Sequence, residues 1–402
     1  MHFFSLKRLA KPSPTPAVVV GGTLNALGVV RSLARARVPV YLLETTQSCA
    51  AGWSRHCKYV RSPAADGREL IDTLAQLATR LRTRPILILT SDLSVNTVSE
   101  HRREIEPLYR VSLPTHEVVR TLADKTLFQA FAEREGFLVP RAVCASSAAS
   151  LEQLDALQEP LVVKPADKTL VLSGRVTERA IYVATRTEAR RVAARMLADA
   201  PRVLIQEWID GHDSDIFFTL FSCDREGNVI GLFPGRKLLC SPPAVGNTAL
   251  CIAAPEVANE LFAPTLRLVR HVCYRGLGSL EFKRDRRTGR FVIIEPTVGR
   301  TDWQEEIATL CGVNLPLLTY YSELGETLPR ADGPYEKVAW RSSMEVGTEP
   351  VSGVRVFDGF ARWSDPMPAL YYYGYERGLL RLWRRTRAVR APSVTAPESA
   401  KE

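Results

Sequence analysis

The stretch Gly278-Ser279-Leu280-Glu281-Phe282-Lys283, a turn over 284–289, and then Phe291-Val292-Ile293-Ile294-Glu295 form the passage on which the fold is decided. Both runs are short and mostly apolar, and the turn between them is polar and ends in glycine, which predicts two antiparallel strands of a hairpin. The hairpin sets Glu281 beside Glu295. Two carboxylates on adjacent apolar strands repel each other unless a cation lies between them. Hard oxygen ligands of this kind suit Mg²⁺ bridging phosphates.

Working back along the chain, Lys164 ends the apolar run Leu161-Val162-Val163 and precedes Pro165. A lysine there stands at a sheet rim with its ammonium free to meet an anion as a point charge. Gln206-Glu207-Trp208-Ile209-Asp210-Gly211 follows another strand, Val203-Leu204-Ile205. A strand-end Glu followed by backbone groups and aromatic surface suits an adenine and its ribose. Further strands are expected at 180–183, 216–222 and 229–233, with helices at 186–200 and 256–274. Clustered strands with hairpin turns imply antiparallel sheets, hence an α+β region.

The amino-terminal part has a different texture. Ala17-Val18-Val19-Val20 ends in Gly21-Gly22 and leads into a helix over 24–36; Val38 to Leu43 ends at Glu44; a helical pattern over 68–81 precedes Pro85 to Thr90, with Ser91-Asp92 at its end. This alternation predicts a parallel doubly wound α/β sheet. Ligands of such sheets bind beyond the carboxyl ends of the strands, which points to Gly21, Gly22, Glu44, Ser91 and Asp92. The G-x-G-x-x-G spacing is absent, so Gly21-Gly22 reads as a tight turn or substrate contact before it reads as a dinucleotide site, and no P-loop motif occurs.

Composition bounds the rest. With 402 residues, 46% hydrophobic and 24% charged, the chain is neither collagenous nor disordered, and it is long enough to bury large cores without staples. The balance of 53 Lys+Arg against 44 Asp+Glu gives +9, which suits polyphosphates, an anionic membrane or nucleic acid without choosing among them. Eight cysteines without C-x-x-C, mostly in apolar surroundings, read as reduced core thiols of a cytoplasmic protein. Lys7 and Arg8 are followed by Pro12, Pro14 and Pro16 where a signal peptide needs an apolar run, and no stretch of about 18 apolar residues exists. From Tyr371 to Arg390, arginines interleave with Leu379, Leu382 and Trp383. With Tyr375 these give one apolar stripe, so the expectation is a terminal helix docked on the body, without stable membrane insertion and without nucleic-acid binding.

The ordered set Asp124-Lys125-x-x-Phe128, Val163-Lys164-Pro165, Gln206-Glu207-Trp208-Ile209-x-Gly211, Glu281-Phe282-Lys283 and Glu295-Pro296-Thr297-Val298-Gly299-Arg300 resembles the ATP-grasp superfamily over roughly residues 17–325. The resemblance implies a Rossmann-like domain over 17–115 after a flexible segment, 1–16. It implies an ATP-grasp amino-terminal lobe with its lid over 116–205, a carboxy-terminal lobe with the metal site over 206–345, and an extension with a basic helix over 346–402. It further implies Lys125 and Lys164 on the nucleotide phosphates, with Gln206, Glu207, Trp208 and Ile209 around adenine and ribose. Glu281 and Glu295 are then Mg²⁺ ligands, Arg236 and Lys237 a basic pair beside the reacting groups, and Arg300 an arginine aimed at the transferring phosphate. The implied activity is an ATP-dependent ligase that joins a small-molecule carboxylate to an amine, in a protein that can form a homodimer. A non-catalytic ATP-binding scaffold and an NAD-type oxidoreductase are the alternatives. Three departures stand out: Thr297 replaces the family's frequent Asn, Arg300 comes one residue later than the family's arginine, and the segment after Lys164 has one glycine, Gly174, where relatives carry a Gly-rich loop.

Overall fold

Ala17–Val20 (β1) is buried along its whole length, because a β-branched run with no polar member must be covered on both faces. The computed structural model describes residues 15–167, 180–329, 335–347 and 350–378. Around β1 lie Val40–Glu44 (β2), Lys58–Arg61 (β3), Ile86–Leu89 (β4) and Arg110–Val111 (β5), in the order β3-β2-β1-β4-β5 and all parallel. Helices Leu24–Ala34, Gly67–Arg80 and Asp92–Glu100 connect or follow these strands, as a doubly wound sheet requires. The glycine pair after β1 makes a tight turn. Gly21 has φ +121°, and a Cβ there would lie 2.3 Å from the Thr90 hydroxyl.

A second sheet comprises Ala142–Ala145 (β6), Leu161–Pro165 (β7), Ile181–Val183 (β8) and Val203–Glu207 (β9), antiparallel in the order β6-β9-β7-β8. Helix Arg186–Met196 covers one face, burying Leu161, Val163, Val203 and Ile205 with its own Val192 and Met196. Strand alternation then turns Val162, Lys164, Leu204 and Gln206 to the opposite face.

The third sheet holds Ile216–Cys223 (β10), Val229–Ser241 (β11), Asn247–Ala253 (β12), Gly276–Arg284 (β13), Phe291–Val298 (β14), Val338–Arg341 (β15) and Arg355–Asp358 (β16). Its order is β14-β13-β10-β11-β12-β15-β16, antiparallel except for the β15–β16 pair. Two large cores tie this sheet to the first. One packs Val18, Leu87 and Val98 with Phe221, Leu280 and Ile293; the other packs Val29, Leu33 and Leu42 with Phe218, Phe233, Leu315 and Tyr320. Each such side chain contributes about 1.5–3 kcal/mol by leaving water, so the two sheets hold a fixed relation across the space between them. The whole is α/β followed by α+β, as the sequence pattern implies.

Three local expectations are revised. β11 runs through Pro234 and Gly235, past the end expected at Phe233, so Arg236 and Lys237 lie within a strand and face opposite ways. All eight cysteines are unpaired, but Cys144 and Cys273 are exposed and do not belong to a core. The carboxy-terminal segment Leu370–Glu376 winds as a π-helix, and Tyr375, expected on a docked apolar stripe, faces outward. Tyr371 stacks on Trp53 and Tyr372 on Phe360, while Tyr375 is 58% exposed. Leu379, Leu382 and Trp383, the opening segment through Pro14 and residues 168–179, within the expected lid over 165–182, lie outside the described residues. No helix among the described residues is long and apolar enough to cross a membrane.

Candidate functional site

A cavity of about 330 Å³ opens where the three sheets meet. The first sheet supplies Ser91 and Asp92 from beyond the carboxyl end of β4, and Thr23 and Asn25 from the turn and helix after β1. Val162, Lys164 and Gln206 come from the uncovered face of the second sheet, and Lys237, Thr248, Glu281, Glu295 and Thr297 from the third. Lys125, Trp208, Ile209, Glu207 and Arg300 complete the wall, so the expected nucleotide, metal and phosphate residues converge from strands far apart in sequence. Gly21, Gly22 and Glu44, expected at the ligand edge of the first sheet, do not line the cavity, and neither does Arg236. Its side chain leaves the far face of β11, where Nε donates to the Ser214 carbonyl at 2.6 Å and the guanidinium lies 5.2 Å from the Phe217 ring centre.

Local chemistry sets each side chain. Asp124 caps helix Lys125–Arg134 by accepting from the Thr126 and Leu127 amides at 2.9 and 3.0 Å, which fixes Lys125 at the first turn, facing the cavity. Its Nζ lies 4.0 Å from Glu295. Lys164 Nζ donates to Gln206 Oε1 at 3.0 Å, and Gln206 Nε2 donates to Gln129 Oε1 at 2.8 Å, so the strand-end lysine is aimed by a buried amide pair. Glu207 accepts from the Gln158 amide at 2.8 Å and lies 3.6 Å from Arg141; one of its oxygens is thereby held at the cavity rim.

The hairpin register pairs Glu281 directly with Glu295. Lys237 Nζ meets Glu281 at 2.6 Å. Burial works against the Lys237 charge, but the carboxylates of Glu281 and Asp302 outweigh it and hold its pKa above the ordinary lysine value. Asp302 accepts from the Ser279 hydroxyl. Arg300 is gripped by Asp92 through two bonds of 2.9 Å, which overcome the cost of burial and raise its pKa. This fork joins the first sheet to the end of β14 across the cavity mouth.

The donor set bears on a metal. Among the described residues no three His, Cys, Asp or Glu side chains cluster to hold an ion by themselves. Two carboxylates in register, with a lysine against each, offer hard oxygen donors and leave the remaining positions to phosphate oxygens and water. That is how Mg²⁺ is usually taken up alongside a nucleotide, so the pair fits it.

Several lining residues were not assigned from the sequence. Asn25 donates to the carbonyls of Thr301 and Asp302 at 2.5 and 2.6 Å, a pairing across 277 residues that no local signal announces. Lys283 was legible in principle, since it sits two residues beyond Glu281 and strand side chains alternate.

No protein-family model and no curated protein sequence matches the chain. Solved structures do match in fold. An N5-carboxyaminoimidazole synthetase from Staphylococcus aureus is 10% identical, with 79% of each chain covered and a TM-score of 0.61. The biotin carboxylase domain of a Hydrogenobacter thermophilus 2-oxoglutarate carboxylase, solved as a dimer with MgADP, ADP and bicarbonate, is 13% identical over 80% of this chain and 73% of that one, with a TM-score of 0.63. An L-amino acid ligase from Bacillus licheniformis is 16% identical over 78% and 75%, with a TM-score of 0.59. The chain has the ATP-grasp fold.

Proposed function

We propose that this chain is an ATP-dependent ligase that activates a small-molecule carboxylate as an acyl phosphate and passes the acyl group to an amine. The observation that carries the reading is the convergence of Lys125, Lys164, Lys237 and Arg300 with the paired Glu281 and Glu295 on one cavity. In this scheme a carboxylate oxygen of the substrate attacks the γ-phosphorus of ATP and ADP leaves. The amine nitrogen then attacks the acyl carbon and phosphate leaves, with the amine proton going to solvent or phosphate.

Little covalent work falls to the side chains; positioning and charge provide the rate. Lys125 and Lys164 hold the phosphates, and Gln206 to Ile209 receive the nucleoside. Lys237 sits beside Glu281 where negative charge gathers on the transferring group. Arg300, oriented by Asp92, faces the same place. Glu281 and Glu295 would hold Mg²⁺, whose chemistry is to neutralise charge on the phosphate oxygens.

The test is direct. Millimolar MgATP raises the melting temperature of the full chain by mass action, and ADP forms only when a carboxylate is supplied, with hydroxylamine trapping the acyl group as a hydroxamate. No melting shift with MgATP overturns the reading. Nucleotide binding without ADP release across carboxylate and amine panels favours the scaffold alternative.

A further inference from the structure

Lys283 leaves the same face of β13 as Glu281 and enters the same cavity. It is 5% exposed, and its ammonium has no hydrogen-bond partner among the described residues. What it does touch is the face of Trp208, 4.1 Å from the ring centre, and Trp208 is itself set edge-on against Tyr182. Two of the nearby acids are committed elsewhere. Asp213 accepts from the Cys240 and Ala244 amides, both at 2.8 Å, and Asp215 accepts from the His212 amide at 2.9 Å and lies 3.8 Å from Arg286. Burial pulls the Lys283 pKa below the ordinary lysine value, with Asp213, Asp215 and Asp210 opposing.

An ammonium carries three donors and no acceptor, and burying it unpaired is costly. The cation–π contact offsets only part of that cost. Ile216, its cross-strand neighbour, is apolar, and Val162, Ile209 and Ile294 line the same cavity. The ion pairs of the cavity, Lys237 with Glu281 and Arg300 with Asp92, leave Lys283 out. A buried donor held against an aromatic face fits a heteroaromatic ring bearing an acceptor at its edge.

We propose that Lys283, together with Trp208, forms the nucleobase-reading subsite, the ammonium donating to a ring-nitrogen or carbonyl acceptor of the bound purine. This rests on the nucleotide reading above and adds to it the residue that recognises the base. The ligand supplies the acceptor that the protein lacks.

The experiment compares the full-length wild type with Lys283→Met, measuring affinity for MgATP, adenosine and inorganic tripolyphosphate, together with the melting temperature of the free protein. Expected is a loss of roughly 10- to 100-fold for both MgATP and adenosine, the size of a hydrogen bond from a charged donor. Tripolyphosphate binding stays within about twofold, and the free variant melts no lower than the wild type because an unpaired buried charge has been removed. MgATP affinity within about twofold of wild type overturns the proposal. So does an equal loss for tripolyphosphate, which would move Lys283 to the phosphates. A variant that melts far lower or fails to fold also overturns it, since Lys283 would then hold the strand through Trp208. If the wild type itself binds neither MgATP nor adenosine, the nucleotide reading fails; if it binds both and Lys283→Met binds them equally, this inference alone fails.

Discussion

Two buried polar regions lie within this molecule, and they are finished differently. At the junction of the first helix with the carboxy-terminal extension, Arg31 meets Asp365 at 3.1 Å and donates to the carbonyls of Gly359 and Phe360 at 2.8 and 2.7 Å. Asp365 also accepts from the Ser54 hydroxyl and the Arg55 amide, and Arg362 pairs with Glu306 at 2.8 Å. Arg31, Asp365, Arg362 and Glu306 each have an ionic partner. In the cavity, by contrast, Asn25 Oδ1, Thr248 Oγ1, Lys283 Nζ, Trp303 Nε1 and Gln304 Nε2 are buried without a hydrogen-bond partner among the described residues. A closed network specifies a structure, and an open one leaves work for a ligand.

The largest expected effect breaks the closed side. Asp365→Ala removes the nearer carboxylate from the buried Arg31 charge, leaving only Glu306 at 3.8 Å, and also strips Ser54 and the Arg55 amide of their acceptor, which costs about 3 kcal/mol and is read as a drop in thermal or denaturant midpoint. An unchanged midpoint would abolish the contrast. Next comes Glu305, fully buried beside Ser32 and Thr309, with Gly28 packed against it. Burial, and then the neighbouring Glu306 charge, push its carboxyl up to about 8. The unfolded chain releases this proton near 4.3, so stability falls as pH rises from about 4.5 to about 8, and the loss is complete above that. Glu305→Gln removes the slope: near pH 5 it matches the wild type, and at pH 8 it is the more stable by an amount on the order of a few kcal/mol. Parallel pH profiles of the two proteins contradict this.

The sequence carried the acid pair clearly, because a period of two and a short polar turn are local signals, and Glu281 does pair with Glu295. The helix cap at Asp124 was equally local. What it hid is long-range. The bond between Arg300 and Asp92 spans 208 residues. The face of Arg236 depended on β11 continuing through Pro234-Gly235, which read as a strand end because proline and glycine normally interrupt ladders. The exposure of Tyr375, expected on a docked apolar stripe, was equally out of reach of sequence counting.

On the open side, Lys237→Ala is expected to lower turnover about 100-fold while MgATP affinity stays nearly intact, the pattern of a contact made chiefly in the transition state. Lys125→Ala and Lys164→Ala are expected to weaken MgATP about 10-fold each with little change in the free protein's melting temperature. If the lysines instead proved costly to stability and neutral to nucleotide, the cavity would resemble the Arg31 junction, and the distinction between the two regions would vanish.

The smallest effect sharpens the comparison most finely, because it concerns adjacent residues. Arg236 and Lys237 are neighbours on β11, but one donates to Ser214 and lies over Phe217 while the other meets Glu281 inside the cavity. Arg236→Ala gives up one hydrogen bond and one ring contact on a half-buried face, about 1 kcal/mol or less. Its turnover and MgATP affinity should therefore stay within about twofold of wild type, with only a slightly lower melting temperature. Steady-state kinetics of the two single variants decide the matter. A turnover loss in Arg236→Ala as deep as that in Lys237→Ala would mean that the strand turns over on nucleotide binding, and that the face seen without ligand is not the face that works.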